Sequence, residues 1–107
     1  MEITGFSLVD FNGEAVGVGV LGLLLYDGGT VCDDFFSATS ADAICREMVD
    51  FGQRSYISGR RWSIQSCLNI TLDDVVCNSG NWPSSCSFNL THDCVHGEDI
   101  FLQCGPG

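Results

Sequence analysis

Seven cysteines in a chain of 107 residues constrain this sequence more than any other feature. A chain of this length builds one modest core. Its cysteines, Cys32, Cys45, Cys67, Cys77, Cys86, Cys94 and Cys104, include no C-x-x-C pair, which argues against zinc ribbons and thioredoxin-type redox sites. Widely spaced cysteines in a small chain indicate a disulfide framework and an oxidising compartment. The sequons Asn69-Ile70-Thr71 and Asn89-Leu90-Thr91 point the same way, to a secreted or cell-surface glycoprotein with Asn69 and Asn89 as acceptors.

Charge narrows the function further. The formal net charge is −10, with no lysine and only Arg46, Arg54, Arg60 and Arg61 as fixed cations. Such a surface repels phosphate backbones, so nucleic acid is excluded as the main partner. Met1-Glu2-Ile3-Thr4 has neither a basic start nor an apolar run and reads as the start of an excised domain or mature form with an added Met, not as a signal peptide. Val16 to Leu25 is strongly apolar but half the roughly twenty residues a spanning helix needs, and it reads as buried strand.

Along the chain, Phe6-Ser7-Leu8-Val9 reads as a first strand, closed by the turn signal Asn12-Gly13. Val16, Val18 and Val20 alternate with Gly17 and Gly19, which is strand periodicity with one bare face, and Leu23 to Tyr26 continues the run. Asp27-Gly28-Gly29 turns the chain into Thr30-Val31-Cys32. Thr39 followed by Asp42 resembles a capping box, and a helix of about ten residues should follow, with Ala41, Ile44, Cys45 and Met48 on one face and Gly52 as its stop. Arg54 to Arg61 reads as a loop that gathers three of the four arginines, a candidate anion-binding patch in which Arg54, Arg60 and Arg61 suit sulfate, phosphate or carboxylate. A strand around Ile70-Thr71-Leu72, a loop from Asn78 to Ser87, a closing strand Ile100 to Cys104 and a frayed tail Gly105-Pro106-Gly107 complete the chain.

Three acidic runs stand out: Asp33-Asp34, Asp73-Asp74 and Glu98-Asp99. Adjacent carboxylates repel, and folding them onto one surface costs free energy unless a positive group compensates. Calcium compensates well, because it takes six to eight oxygens in irregular geometry. If Cys32 and Cys94 were bonded, the first and last of these runs would meet.

Gly-Thr-Val-Cys-Asp-Asp (29–34), Asp-Ala-Ile-Cys-Arg (42–46), Leu-Asp-Asp-Val-Val-Cys (72–77) and His-Asp-Cys-Val-His-Gly-Glu-Asp (92–99) occur in this order, ahead of Cys104. Together they resemble the scavenger receptor cysteine-rich domain over nearly the whole chain. The resemblance implies one domain spanning residues 1–107, with its core at about 6–104. It implies an α+β fold, a small disulfide-stapled domain whose curved antiparallel sheet cradles one helix. It also implies the pairs Cys32–Cys94, Cys45–Cys104 and Cys77–Cys86, like the six-cysteine subgroup, and leaves Cys67 over. Sequence alone does not choose this pairing among the many connectivities. Cys67 is read as a buried thiol, as an intermolecular bridge to a partner, or as a sign that the pairing is partly wrong. Where relatives carry a tryptophan ahead of Gly-Thr-Val this chain has Gly28, and Phe35, Phe36 or Trp62 are the expected substitutes for its packing.

The resemblance further implies a cation site from Asp33, Asp34 and Glu98. A second site would use Asp73 or Asp74 with Asp93, sharing Asp34. Calcium is the expected cation, and extracellular modules hold it at about 10⁻⁴ to 10⁻³ M. The function expected is an extracellular, calcium-assisted ligand-binding module of the scavenger and innate-immune type, taking microbial or host polyanions or a protein ligand. The alternative is a structural or adhesion domain of a larger protein that binds no small ligand. His92, Cys94 and His96 invite a zinc reading, which fails if Cys94 is a half-cystine. No Gly-x-Ser-x-Gly is present and Cys67 with His92 lacks supporting spacing, so no enzyme is expected.

Overall fold

The short apolar runs become strands because each needs one or both faces covered, and the one stretch of helical periodicity becomes a helix laid across them. A computed structural model describes residues 5–49, 51–91 and 93–105. Its strands are β1 (Phe6–Val9), β2 (Gly22–Tyr26), β3 (Gly29–Val31), β4 (Gln53–Ser58), β5 (Ile70–Cys77), β6 (Cys86–Asn89) and β7 (Ile100–Cys104), with helix α1 at Ala38–Met48. They form one curled sheet in the order β4-β7-β2-β3-β5-β6, with β1 also paired to β2. The sheet is antiparallel except where β3 runs parallel to β5. That exception matters, because it sets the end of β3 beside the middle of β5, where Asp73 and Asp74 lie, and so brings two acidic runs together.

Alternation along β2 and β7 sorts the core into two layers. Leu24, Ile100 and Leu102 face the helix and pack with Val31, Ala41, Ile44, Leu72 and Val75. Leu23, Leu25 and Phe101 face the other way, where Trp62, Ile64 and Leu68 cover them. The covering residues belong to a segment around a short 3-10 turn, Ser63–Cys67. Phe101 is fully buried, with its ring 4.7 Å from that of Trp62; truncating such a residue costs about 3–5 kcal/mol. Between β2 and β3, Asp27 and Gly28 both have positive φ, as a two-residue hairpin turn of the primed type requires.

Disulfides staple these layers. Cys45–Cys104 ties α1 to β7, Cys32–Cys94 ties the end of β3 to the segment before β7, and Cys77–Cys86 closes the β5–β6 hairpin. These are the pairs the family resemblance implies. Cys67 is unpaired and exposed rather than buried.

Several local expectations are corrected. The helix is capped by Ser37, whose hydroxyl accepts from the Ser40 amide, and not by a Thr39–Asp42 box. Asp42 instead accepts from the Gln53 amide at 2.7 Å. Gly52 is needed for that contact, since a Cβ there would lie 2.6 Å from Asp42 Oδ1; the helix itself ends earlier, at Val49. Residues 15–21 are not strand. Val16 donates to the Leu8 carbonyl, the chain turns back between Gly17 and Val20, and Gly19 donates to Cys104. Val18 and Val20 stay exposed, because their alternation finds no partner strand. Arg54 to Arg61 is largely an edge strand, β4, which pairs with β7 from Gln53 to Ser58. Its polar sequence hides it, since an edge strand held by backbone pairing can leave most side chains in water. Phe35 is exposed, Phe36 packs edge-on against Tyr56, and Trp62 serves the opposite layer. The aromatic cluster beside the β2–β3 hairpin is built by Trp82 on Phe6, Tyr26 and Phe88.

Candidate cation and ligand site

The end of β3 is held on both sides. The Cys32 amide donates to Leu72 of β5 at 2.8 Å, and Cys32 also forms an antiparallel bridge with Asp99. Asp33 and Asp34 then leave the sheet in a turn that the Phe36 amide closes onto the Asp33 carbonyl at 3.0 Å. Asp34 therefore emerges between Asp73 of β5 and the turn His96–Glu98 that precedes β7.

The carboxylates converge in two overlapping sets. Asp33, Asp34 and Glu98 have oxygens within 4.8 Å of one another and of the Cys32 sulfur, and so do Asp34 and Asp73 with the sulfurs of Cys32 and Cys94. Both sulfurs are locked in a disulfide and offer no thiolate. What remains is an all-oxygen donor set, which selects a hard cation such as calcium over zinc. Asp34 belongs to both sets. Asp93 lines a hollow of about 290 Å³ with Asp73, Asp74, Asn89 and Thr91.

Electrostatics mark the same residues. Partial desolvation raises the Asp34 carboxyl above its ordinary pKa, and Asp73, Glu98, Asp33 and Asp74 push it further up. Asp73 is buried, and its carboxyl is raised by desolvation and then by Asp74, Asp93 and Glu98, against a lowering hydrogen bond from the Asp74 amide. Among the described residues no arginine forms a salt bridge with any of these carboxylates. Asp74 is set apart. It has φ 57°, sits where the β5–β6 register shifts, and accepts from Asn89 Nδ2 at 2.7 Å.

The basic patch divides. Arg54 lies exposed on β4 and Arg61 is exposed beyond it. Arg60 lines an open groove of about 810 Å³ with Leu68, Asn69, Leu90, Val95 and His96. That groove adjoins the turn carrying Glu98, so one of the three arginines faces the neighbourhood of the acidic cluster. Asn69 and Asn89 are both exposed. The zinc reading loses Cys94 to its disulfide, and His92 lies outside the described residues.

A buried polar network, missed in the sequence, underlies the site. Gln65 and Asp99 are both fully buried. Asp99 Oδ2 accepts from Gln65 Nε2 and is hydrogen-bonded to His96 Nδ1, each at 2.8 Å, while Asp99 Oδ1 has no partner. Only the Trp62-x-x-Gln65 spacing, half of a capping box, hints at Gln65 in the sequence.

Comparison with known proteins fixes the family. The family model described as the scavenger receptor cysteine-rich domain matches residues 11–105. The chain belongs to the scavenger receptor cysteine-rich family. Lysyl oxidase homolog 2 of Xenopus laevis is 40% identical over 89 residues, covering 74% of this chain and 11% of that protein. The human lysyl oxidase homolog 2 is 36% identical over 90 residues, with the same coverage of 74% and 11%. The chain thus spans about a tenth of the length of these curated relatives. Among solved structures, the dimeric form of the scavenger receptor cysteine-rich domain of mouse MARCO matches with a TM-score of 0.58 at 28% identity, covering 86% of this chain and 93% of that one. Domains of this family are generally extracellular, non-catalytic protein-interaction modules. Among the described residues no helix is long and apolar enough to cross a membrane.

Proposed function

We propose that this scavenger receptor cysteine-rich domain is an extracellular ligand-binding module whose acidic cluster takes up calcium. Asp33, Asp34 and Glu98 form the first site, and Asp34 with Asp73, joined by Asp93, forms the second. One observation carries this reading. Asp34 belongs to two converging oxygen sets and is raised in pKa by desolvation and then by four carboxylates, with no arginine paired to any of them among the described residues. Bound calcium relieves that repulsion and, with coordination positions left open, receives an anionic group of the ligand. Arg60, in the adjoining groove, adds a second contact for the same anion, whether on a polyanion or on a protein loop. Arg54, exposed on β4, and Arg61, exposed beyond it, play no part in the cation site.

Calorimetric or NMR calcium titration of wild type beside Asp34→Ala tests the reading. Saturable binding near or below millimolar in the wild type, lost in the variant, supports it. Absence of saturable binding in the wild type reduces the cluster to a solvated acidic face and ends it.

A second reading is a structural or adhesion domain within a larger protein, which needs no calcium for contact. It is favoured by relatives about ten times longer than the match and by exposed, unpaired Cys67, which could bridge to a partner chain. Partner capture that survives calcium chelation selects this reading over the first.

A further inference from the structure

Gln65 is fully buried in a short surface turn, and its side-chain amide leaves no polar atom idle. Oε1 accepts from the Arg61 and Trp62 amides, both at 2.7 Å. Nε2 donates to the Gly59 carbonyl at 3.0 Å, to Asp99 Oδ2 at 2.8 Å and to the His96 carbonyl at 3.4 Å. Two backbone amides facing Oε1 and three oxygens facing Nε2 leave the amide one orientation. One side chain therefore joins residues 59–62, which include Arg60, to residues 96–99, which include Glu98. The Gly59 amide reinforces the junction by donating to the Asp99 carbonyl at 2.9 Å.

Glu98 has one other anchor, Val95: its amide donates to the Val95 carbonyl at 2.9 Å and its carboxylate accepts from the Val95 amide at 3.2 Å. It is the last residue of a three-residue turn with no fully buried member, and no strand pairing holds it. Its backbone place follows from its neighbours: His96 and Asp99 are both bonded to Gln65, and the Asp99 amide closes onto the His96 carbonyl at 3.1 Å. Asp33, Asp34 and Asp73, by contrast, are set by the β3–β5 pairing.

We propose that Gln65 is a positioning residue for the first cation site. By holding His96 and Asp99 it fixes Glu98 opposite Asp33 and Asp34, and by holding Gly59, Arg61 and Trp62 it keeps Arg60 in the same frame. The cation itself rests on the preceding functional reading; the holding of the turn does not.

The test uses the whole chain with Gln65→Leu and Gln65→Glu. The glutamate keeps acceptors for the Arg61 and Trp62 amides but loses the donors to His96 and Asp99. Amide hydrogen exchange is first followed by NMR without cation. Exchange at Glu98 and Asp99 should accelerate about tenfold or more, as expected for lost hydrogen bonds to a charged group, while Leu24 and Leu102 keep wild-type rates. Calcium is then titrated alone, with carboxyl carbon shifts read separately at Glu98 and Asp73. Affinity reported by Glu98 should fall about tenfold, and that reported by Asp73 by no more than about twofold. Equal acceleration throughout the domain, or none at Glu98 and Asp99, overturns the proposal. So does an equal loss of affinity at both reporters. If wild type binds no calcium, the functional reading fails and the exchange pattern alone decides the role of Gln65. If Gln65→Leu does not fold, Gln65→Glu gives the same reading.

Discussion

Asp34 and Asp73 bring carboxylate oxygens within 4.8 Å of each other. Asp34 follows β3 and Asp73 lies on β5, the parallel neighbour of β3. The end of β3 and the middle of β5, running in the same direction, thus deliver like charges to one point, and the fold has no means of separating them without breaking the β3–β5 pairing.

That contact gives calcium-free stability a definite pH dependence. Both carboxyls are raised above 3.8, the ordinary value, chiefly by desolvation and then by neighbouring carboxylates. The folded state therefore binds their protons more tightly than the unfolded state does. Their contribution to stability is fully present below the ordinary value and is lost as pH rises through the raised values. In EDTA, wild-type Tm should fall relative to that of Asp34→Asn as pH rises from about 4 towards neutral. Calcium binds the ionised forms, so the gain in Tm on adding it should grow over the same interval. Thermal melts across pH, with and without calcium, check both trends; a flat difference between the two proteins rejects the repulsion.

The second site should depend on Asp73 and hardly on Asp74. Asp73 shares the convergent oxygen set with Asp34, whereas Asp74 is turned aside by its left-handed backbone and accepts from Asn89. Asp73→Ala should weaken calcium binding at that site about tenfold, the order of one lost charge-assisted ligand. Asp74→Ala should change it by no more than about twofold, as for a residue outside the shared set. Calcium isotherms of the two variants beside wild type decide between them.

What could be read in the sequence follows what is local. The Asp27-Gly28 turn, the strands at Phe6–Val9 and Ile100–Cys104 and the buried helix face at Ala41, Ile44 and Cys45 each lie in one contiguous pattern. The convergence of Asp33, Asp34 and Glu98 was legible only through the family resemblance, because it depends on a disulfide across 62 residues. Three features were not legible, each for its own reason. β4 is held by pairing with β7 rather than by apolar alternation. The valines of residues 16–20 carry a strand pattern but form no strand, because the chain turns back between Gly17 and Val20. Gln65 acts through backbone groups up to 31 residues away and through the Asp99 carboxylate 34 residues away, and no pattern of residue types encodes that.

Phe35 carries a testable strain beside the cation site. It has φ 60° and is 76% exposed, so its ring contributes little packing to set against a left-handed backbone. That conformation costs a non-glycine residue about 1–2 kcal/mol, and glycine's extra unfolded-state freedom returns only about 0.5–1. Phe35→Gly should therefore stabilise the domain by about 0.5–1 kcal/mol in urea unfolding. A loss of stability would show that the ring packs in solution or that the turn is not left-handed there.

The disulfides should separate stability from cation binding. Closing rings of 62 and 59 residues is worth about 4 kcal/mol each in the chain-entropy account, and closing the nine-residue ring of Cys77–Cys86 about 2–3. Replacing Cys77 and Cys86 together by alanine should therefore be the mildest loss and should leave calcium affinity near wild type, because that bond touches neither oxygen set. Replacing Cys45 and Cys104 should cost more stability, yet the protein that remains folded should bind calcium normally, since this bond joins α1 to β7 away from the acidic runs. Replacing Cys32 and Cys94 should cost about as much stability as the Cys45–Cys104 pair and abolish binding, because that bond is the covalent tie, beside the single Cys32–Asp99 bridge, that holds the end of β3 against the segment leading to Glu98. Urea unfolding and calcium titration of the three double variants give the two quantities independently. Normal calcium affinity in the Cys32→Ala/Cys94→Ala protein would show that the β3–β5 pairing and the Cys32–Asp99 bridge assemble the site without the disulfide.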